Sequence, residues 1–413
     1  MIPEFMQLDV VIFGGGAAGL WLLDALSEQG HRVLLLEATA LGHGQTIASQ
    51  GIIHGGLKYT LQGLMNRSAE QIRDMPELWR QSLRDRRRPH LAATRMRSDD
   101  CFLWRTENLR SRLGLIGARW GLRITPQKVA KHERPHVLRH CPGVVSRLPE
   151  PVISPHSFLE SLREQHRDAI LKIDAGKGLR FECDAPGSIR AVQLQHPTDR
   201  SCLTLNPRTC VFTAGSGNQN LRQLCGLTET ALQLRPLHMV MVRGQLPTLN
   251  GHCVDGARTR VTITSDSNHA GQTVWQLGGQ VAEDGVSLDS RELIEHAGRE
   301  LQSAVPGLDL SQTSWSTYRV DRAEGVDAAG QRPSGPCILS QGNTITVWPT
   351  KLALAPQAAA QIRSQLPSPT VAQPLSPNPL ADWPCPAIAQ PPWETQQTWT
   401  PWSVHGIGQR SAA

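Results

Sequence analysis

The stretch Asp9-Val10-Val11-Ile12-Phe13-Gly14-Gly15-Gly16-Ala17-Ala18-Gly19-Leu20-Trp21-Leu22-Leu23-Asp24-Ala25-Leu26 decides the fold, together with Arg32-Val33-Leu34-Leu35-Leu36-Glu37 just beyond it. Asp9 to Phe13 is a short apolar run, as in a strand covered on both faces. Leu20 to Leu26 has helical spacing and stops near Gly30. Arg32 to Glu37 reads as a second buried strand. Strand, helix and strand make a βαβ unit with a right-handed crossover and parallel pairing. Gly14, Gly16 and Gly19 supply the spacing G-x-G-x-x-G: a tight turn, close approach of backbone to a pyrophosphate, and close packing of helix on strand. The helix beginning near Ala17 aims its N–H groups at the anion. Glu37, about 20 residues on, can accept hydrogen bonds from a ribose. The combination predicts a bound dinucleotide.

Working outward, 413 residues exceed one ordinary core, so two interwoven domains are expected. A hydrophobic content of 39% suits a soluble globular chain. The net charge of +6 is mild but uneven. Arginines outnumber acids between Arg80 and Arg139, with a run at Arg84, Arg86, Arg87 and Arg88. Such a run attracts phosphates, anionic lipid or nucleic acid, or is simply a solvated helix end; nucleic acid is not the expected partner. The nine cysteines, from Cys101 to Cys385, show no CxxC pair and no metal-like spacing. Reduced thiols in a cytoplasmic setting are expected, and no metal. Met1 to Phe5 reads as a cloning remnant ahead of Met6 and is set aside. Val10 to Leu26 is not a membrane span, being broken by four glycines and Asp24.

Helices are expected over Leu61 to Leu83 (Pro76 weakening its far end), Pro155 to Ala169 opened by Ser154 or His156, Leu293 to Leu301, and Leu352 to Leu366. Strands are expected at Ala191 to Gln195, Thr209 to Gly215, Leu237 to Val242, Arg260 to Thr264, Val274 to Leu277 and Thr344 to Trp348. Beyond Pro367 the chain is rich in proline yet holds Trp383, Trp393, Trp399 and Trp402, which argues for an extended strap packed over the body.

The segment Thr46-Ile47-Ala48-Ser49-Gln50-Gly51-Ile52-Ile53-His54-Gly55-Gly56-Leu57-Lys58-Tyr59 is small, glycine-rich and hydroxyl-bearing, suited to lie along a cofactor. It resembles the flavin-contacting segment of the D-amino acid oxidase superfamily, and most closely that of FAD-dependent glycerol-3-phosphate dehydrogenases, with Lys58 where arginine is usual. Val211 to Gly215 resembles the superfamily strand that ends in Ala-Gly. Pro236 to Val240 resembles its segment with a histidine before a substrate-facing strand, and Tyr318-Arg319 resembles its aromatic-Arg-Pro segment, with Val320 where proline is usual. Trp348 to Leu352 resembles its Gly-Gly-Lys-Leu segment, with Pro349-Thr350 in place of both glycines. That replacement is expected to change the backbone around the flavin.

The resemblance implies an α/β protein: a Rossmann-like FAD-binding domain (6–60 with 145–230 and 320–366), a substrate domain on a largely antiparallel sheet (85–145 with 231–319), and the strap at 367–413. It implies FAD, held by Gly14, Gly16, Ala17, Ala18, Gly19, Glu37, Ala38, Thr46, Ser49, Gln50, Gly51, Ile53, Ala214, Gly215, Pro349, Thr350, Lys351 and Leu352. Candidate catalytic residues are His54, His238, Lys351, Arg319, Lys58, Tyr59 and Tyr318: histidines as bases, Arg319 as a fork for an anion, Lys351 beside the reduced ring. The expected activity is hydride removal from a small anionic hydroxy or amino substrate. The alternatives are an amine oxidase of the same superfamily and a flavoprotein without turnover or associated with nucleic acid. The electron acceptor, whether oxygen, quinone or protein, is not named by the sequence. A quinone would require peripheral membrane contact.

Overall fold

A computed structural model describes residues 4–56, 72–106, 126–255, 258–326, 333–370, 380 and 382–402. Strand β1 (Glu4–Phe13) lies between β2 (Val33–Glu37) and β3 (Cys202–Phe212), parallel to both. Val10 stands opposite Val33, and Phe13 opposite both Leu36 and Phe212. Helix α1 (Ala17–Glu28) joins β1 to β2. Glu4 and Phe5, set aside as a remnant, are the first rungs of β1, opposite Leu203 and Thr204. They belong to the fold because β3 is long enough to offer them partners.

The first sheet runs in the order 337–341, 344–348, β3, β1, β2, 170–172, and a hairpin of 179–185 and 188–195 pairs with the start of β3. Strict alternation along β1 feeds two cores. Val10 and Ile12 pack with Leu20, Leu23, Trp79 and Phe158, while Val11 and Phe13 pack with Leu34, Leu36 and Phe212. Where β1 is covered on both faces, from Val10 to Phe13, every residue is apolar, which is why it was legible.

The second sheet contains β4 (Leu232–Gly244), β5 (Arg258–Ser267), β6 (Thr273–Gly278) and β7 (Thr313–Gly325), running β7–β4–β6–β5. It continues through 251–255, 101–105, 145–148 and 127–128, antiparallel except where 251–255 meets 101–105. The boundary expected at 320 falls inside β7. One face packs Val240, Val242, Trp275 and Leu277 against Leu293, Ala297 and Leu301 of α2 (Ser290–Ala304). The opposite face carries Met239, Met241, Thr262, Thr264, Gln276 and Tyr318, as the cross-strand register requires.

Several local expectations shift by a turn. Ser154 caps a helix over Pro155–Gln165, and Arg167–Ala169 is a separate 3-10 turn. Leu352–Leu354 is likewise a 3-10 turn before the helix Ala355–Arg363. Pro76 does not weaken the far end of a helix. It sits in the first turn of Met75–Leu83, where its missing N–H costs nothing; residues 61–71 of the expected helix lie outside the described residues. Arg84, Arg86 and Arg87 are exposed beyond that helix, while Arg88 reaches Asp24 at 3.4 Å. All nine cysteines are free thiols. Among the described residues, no helix is long and apolar enough to cross a membrane.

The described part of the tail crosses from one sheet to the other. Trp383 Nε1 donates to Lys172 O at 2.7 Å, and Ile388 bridges to Leu41. Farther on, Trp393 is buried on Met241 and Val274, and Thr400–Pro401 adds an edge strand to β7.

Candidate functional site

The glycine turn is shaped by contacts that no side chain would survive. Gly14 has φ +104°, and a Cβ there would lie 2.5 Å from Ala214 Cα; one on Gly19 would lie 2.1 Å from Gly14 O. Thr213 Oγ1 donates to Gly14 O at 2.8 Å, locking the end of β3 to the turn. Gly16 caps α1 without a side chain, and Thr46 Oγ1 instead accepts from Ala17 N at 3.2 Å. Ala18 is buried behind it. Glu37 Oε2 accepts from Gly15 N at 2.7 Å, and Oε1 from Thr39 N at 2.7 Å. Ala38 O accepts from Lys172 Nζ at 2.6 Å. Gly51, with φ +73°, approaches Ile153 O so closely that a Cβ would be 2.0 Å away.

From Thr46 the chain crosses onto the polar face of the second sheet. Gln50 Nε2 donates to Thr262 O at 3.1 Å and Gln276 O at 3.0 Å. Tyr318 donates its hydroxyl to Ala48 O at 3.0 Å and accepts from Gln276 Nε2 at 2.9 Å. Burial pushes the Tyr318 phenol well above its usual value, so it stays protonated. Ile53 is fully buried. His54 Nδ1 lies 3.3 Å from Glu150 Oε2, whose other oxygen accepts from Gly55 N at 2.6 Å.

Deeper on the same face, Asp266 pairs with two arginines. Arg95 Nη2 is 2.5 Å from one oxygen, and Arg97 Nη2 contacts the other. The Arg97 side chain is 3% exposed, its Nη1 donates to Gln50 O at 3.4 Å, and its guanidinium lies 5.7 Å from the Trp393 ring. Burial lowers its pKa to about 10 against the pull of Asp266, so it is charged at neutral pH. Two guanidiniums on one carboxylate leave a positive charge, and Arg97 Nε has no partner among the described residues.

The structure separates the remaining candidates. His238 and Arg319 stand opposite each other on β4 and β7, on the face that meets α2, away from the 46–54 segment. His238 bonds Gly285 O and Thr317 Oγ1, each at 3.0 Å. Arg319 donates to Val286 O and Leu288 O, each at 3.1 Å. One residue of register decides this: Met239 and Tyr318 face the segment, so their neighbours cannot. Lys58 and Tyr59 lie outside the described residues. Ala214 N donates to Asn218 Oδ1 at 2.7 Å, and Gly215 O accepts from Trp348 Nε1 at 3.0 Å, binding β3 to the strand that leads into Pro349. Lys351 and Leu352, half-buried, begin the turn that follows. Thr350 has φ +64°, so the backbone keeps a glycine-like conformation at a position where threonine is strained.

Arg97, Asp266, Gln276, Glu150 and His252 were not foreseen. A signal existed for two of them. Gln276 interrupts the apolar run Val274-Trp275-Leu277, and Asp266 ends a strand whose alternate members, Thr262 and Thr264, are also polar. The donor set fits FAD. The glycine turn can close this tightly before the N-terminus of α1, where a pyrophosphate would sit, only because Cβ atoms are absent. Buried hydroxyls of Ser49 and Thr350, on two of the segments expected to hold the cofactor, have no partner among the described residues, as a polar ligand would require.

The family model described as FAD dependent oxidoreductase (DAO) matches residues 9–343. A probable FAD-dependent oxidoreductase of Pseudomonas aeruginosa is 36% identical over 404 residues, 95% of this chain and 99% of that one. Its crystal structure superposes with a TM-score of 0.79 at 33% identity, over the same shares. In fold alone, the chain resembles glycine oxidase from Geobacillus kaustophilus, with TM-score 0.62, 15% identity, and 91% and 99% of the two chains covered. It also resembles L-α-glycerophosphate oxidase from Mycoplasma pneumoniae, solved with FAD bound, with TM-score 0.60, 14% identity, and 87% and 94% covered.

Proposed function

The chain belongs to the DAO family of FAD-dependent oxidoreductases, and from that premise we propose that it oxidises a small anionic hydroxy or amino compound whose charged end is held by Arg97. FAD supplies the hydride acceptor. Gly14, Gly16 and Gly19 with Glu37 hold the ADP half, and Ser49 and Thr350 offer hydroxyls to the remainder. The observation that carries the substrate class is the buried Arg97, which shares Asp266 with the exposed Arg95 and keeps an Nε without a partner among the described residues, set against Gln50 on the cofactor segment. A buried donor left without a partner costs about 1–3 kcal/mol, a cost that an anionic ligand offsets. In this reading Glu150 orients His54 through Nδ1, and His54 takes the O–H or N–H proton through its other nitrogen. Neither His238 nor Arg319 has a part, since both are committed on the far face.

Anaerobic mixing of the FAD-loaded protein with panels of hydroxy acids, amino acids and sugar phosphates tests this. The proposal expects the flavin band to bleach with an anionic compound and not with its uncharged ester or alcohol. Equal bleaching by the neutral analogue, or none by any member of the panels, would sink it.

A further inference from the structure

Three residues far apart in sequence meet at the edge of this site. His54, Glu150 and His252 each place a ligand atom within 4.8 Å of the others. The His54 and His252 rings are 5.4 Å apart, centre to centre. Glu150 and His252 are buried, and His54 is 19% exposed in its side chain. The geometry points to a divalent-cation site of the zinc class formed by His54, Glu150 and His252, whose filling occupies His54 and so inhibits substrate oxidation.

Two imidazoles and a carboxylate are a donor set suited to zinc, with a fourth position left for water. The outer contacts needed to hold such ligands are in place. His252 Nδ1 is tied to Thr262 Oγ1 at 2.8 Å, which assigns the ring's other nitrogen to the ion. Glu150 is fixed by Gly55 N at 2.6 Å through Oε1, which turns Oε2 toward His54. The buried carboxylate offsets part of the ion's charge. The inhibitory half rests on the reading of His54 as the base: a metal on Nδ1, the nitrogen that faces Glu150, leaves the ring's proton on the other nitrogen, which then has no lone pair to take the substrate's proton.

The test is calorimetric titration of chelator-treated, FAD-loaded protein with Zn²⁺, alongside the anaerobic rate of flavin reduction with and without Zn²⁺. The wild type is expected to bind one ion per chain. His252→Ala should lose binding, His252→Cys should retain it because a thiolate is itself a zinc ligand, and Thr262→Val should weaken it by about tenfold or more. Zn²⁺ should slow flavin reduction in the wild type and lose that effect in His252→Ala. No binding, or equal binding by wild type and His252→Ala with both folded by circular dichroism, overturns the site. Binding that leaves the reduction rate unchanged overturns its inhibitory role. Failure of the proposed oxidation reads differently: no bleaching even in metal-free buffer.

Discussion

The backbone N–H of Gly15 donates to Glu37 Oε2 at 2.7 Å, so the acidic end of β2 and the glycine turn form one hydrogen-bonded unit. Replacing Glu37 therefore acts on the turn as well as on the ribose. Glu37→Gln keeps the shape and removes the charge. A charge-assisted hydrogen bond contributes about 1.5–3 kcal/mol, so FAD is expected to bind roughly 10- to 100-fold more weakly. Fluorescence titration of the apoprotein with FAD measures this, and an unchanged Kd refutes it.

Thr350→Gly is expected to stabilise the apoprotein. A β-branched residue in the left-handed region costs about 1–2 kcal/mol, and a buried hydroxyl without a partner costs about 1–3 kcal/mol. Glycine returns roughly 0.5–1 kcal/mol of that in chain entropy. The net gain should be about 1 kcal/mol, seen as a rise in Tm of about 2 °C by calorimetry. A fall in Tm would show that the threonine makes a compensating contact.

Arg97→Met should raise the substrate concentration giving half-maximal flavin reduction by roughly 10- to 100-fold and leave the Kd for FAD unaltered. The variant should fold, because Arg95 still pairs with Asp266. Asp266→Asn is the harsher change. It leaves a buried guanidinium without its counter-charge and should cost about 3–5 kcal/mol in urea denaturation. If both variants behave alike in binding and stability, the two arginines are structural only.

His238 predicts an acid limb in stability. Burial holds its pKa below the ordinary histidine value of about 6.5, partly opposed by the bond to Gly285 O. The unfolded chain therefore takes the proton first as pH drops. The stabilisation is complete above about 6.5 and is lost as pH falls through the lower folded value, with a slope of at most about 1.4 kcal/mol per pH unit for one proton. His238→Gln should flatten this limb in denaturation curves taken at a series of pH values. Some slope will remain from His31, which burial depresses as well.

The sequence made the ADP end legible and the substrate end mostly not, for a physical reason. Gly14 to Glu37 is a local unit in which strand, turn and helix follow within one short stretch, so spacing alone carries its chemistry. Tyr318 and His238 could not be sorted from spacing, because which face of a strand meets the cofactor segment depends on register against strands far away in sequence. Arg97 was masked in a basic region that reads as solvated, and its value comes only from Asp266 on β5. His54, Glu150 and His252 meet across three unconnected elements, so no interval between them could announce the cluster. Thr350 shows the converse: its sequence departs from the expected glycine, yet its φ of +64° lies in the region that favours glycine.

The tail's path has a consequence for how the molecule is made. Trp383 and Ile388 fasten it to the first sheet, and Trp393 and Thr400 to the second. Domains fold in the order in which the ribosome releases them, and these residues emerge after every strand they touch. Both sheets can therefore assemble while the ground over Arg97 is still open, and Trp393 arrives as the final piece. In the newborn chain, Arg97 is covered by Trp393 only after both sheets have been synthesised.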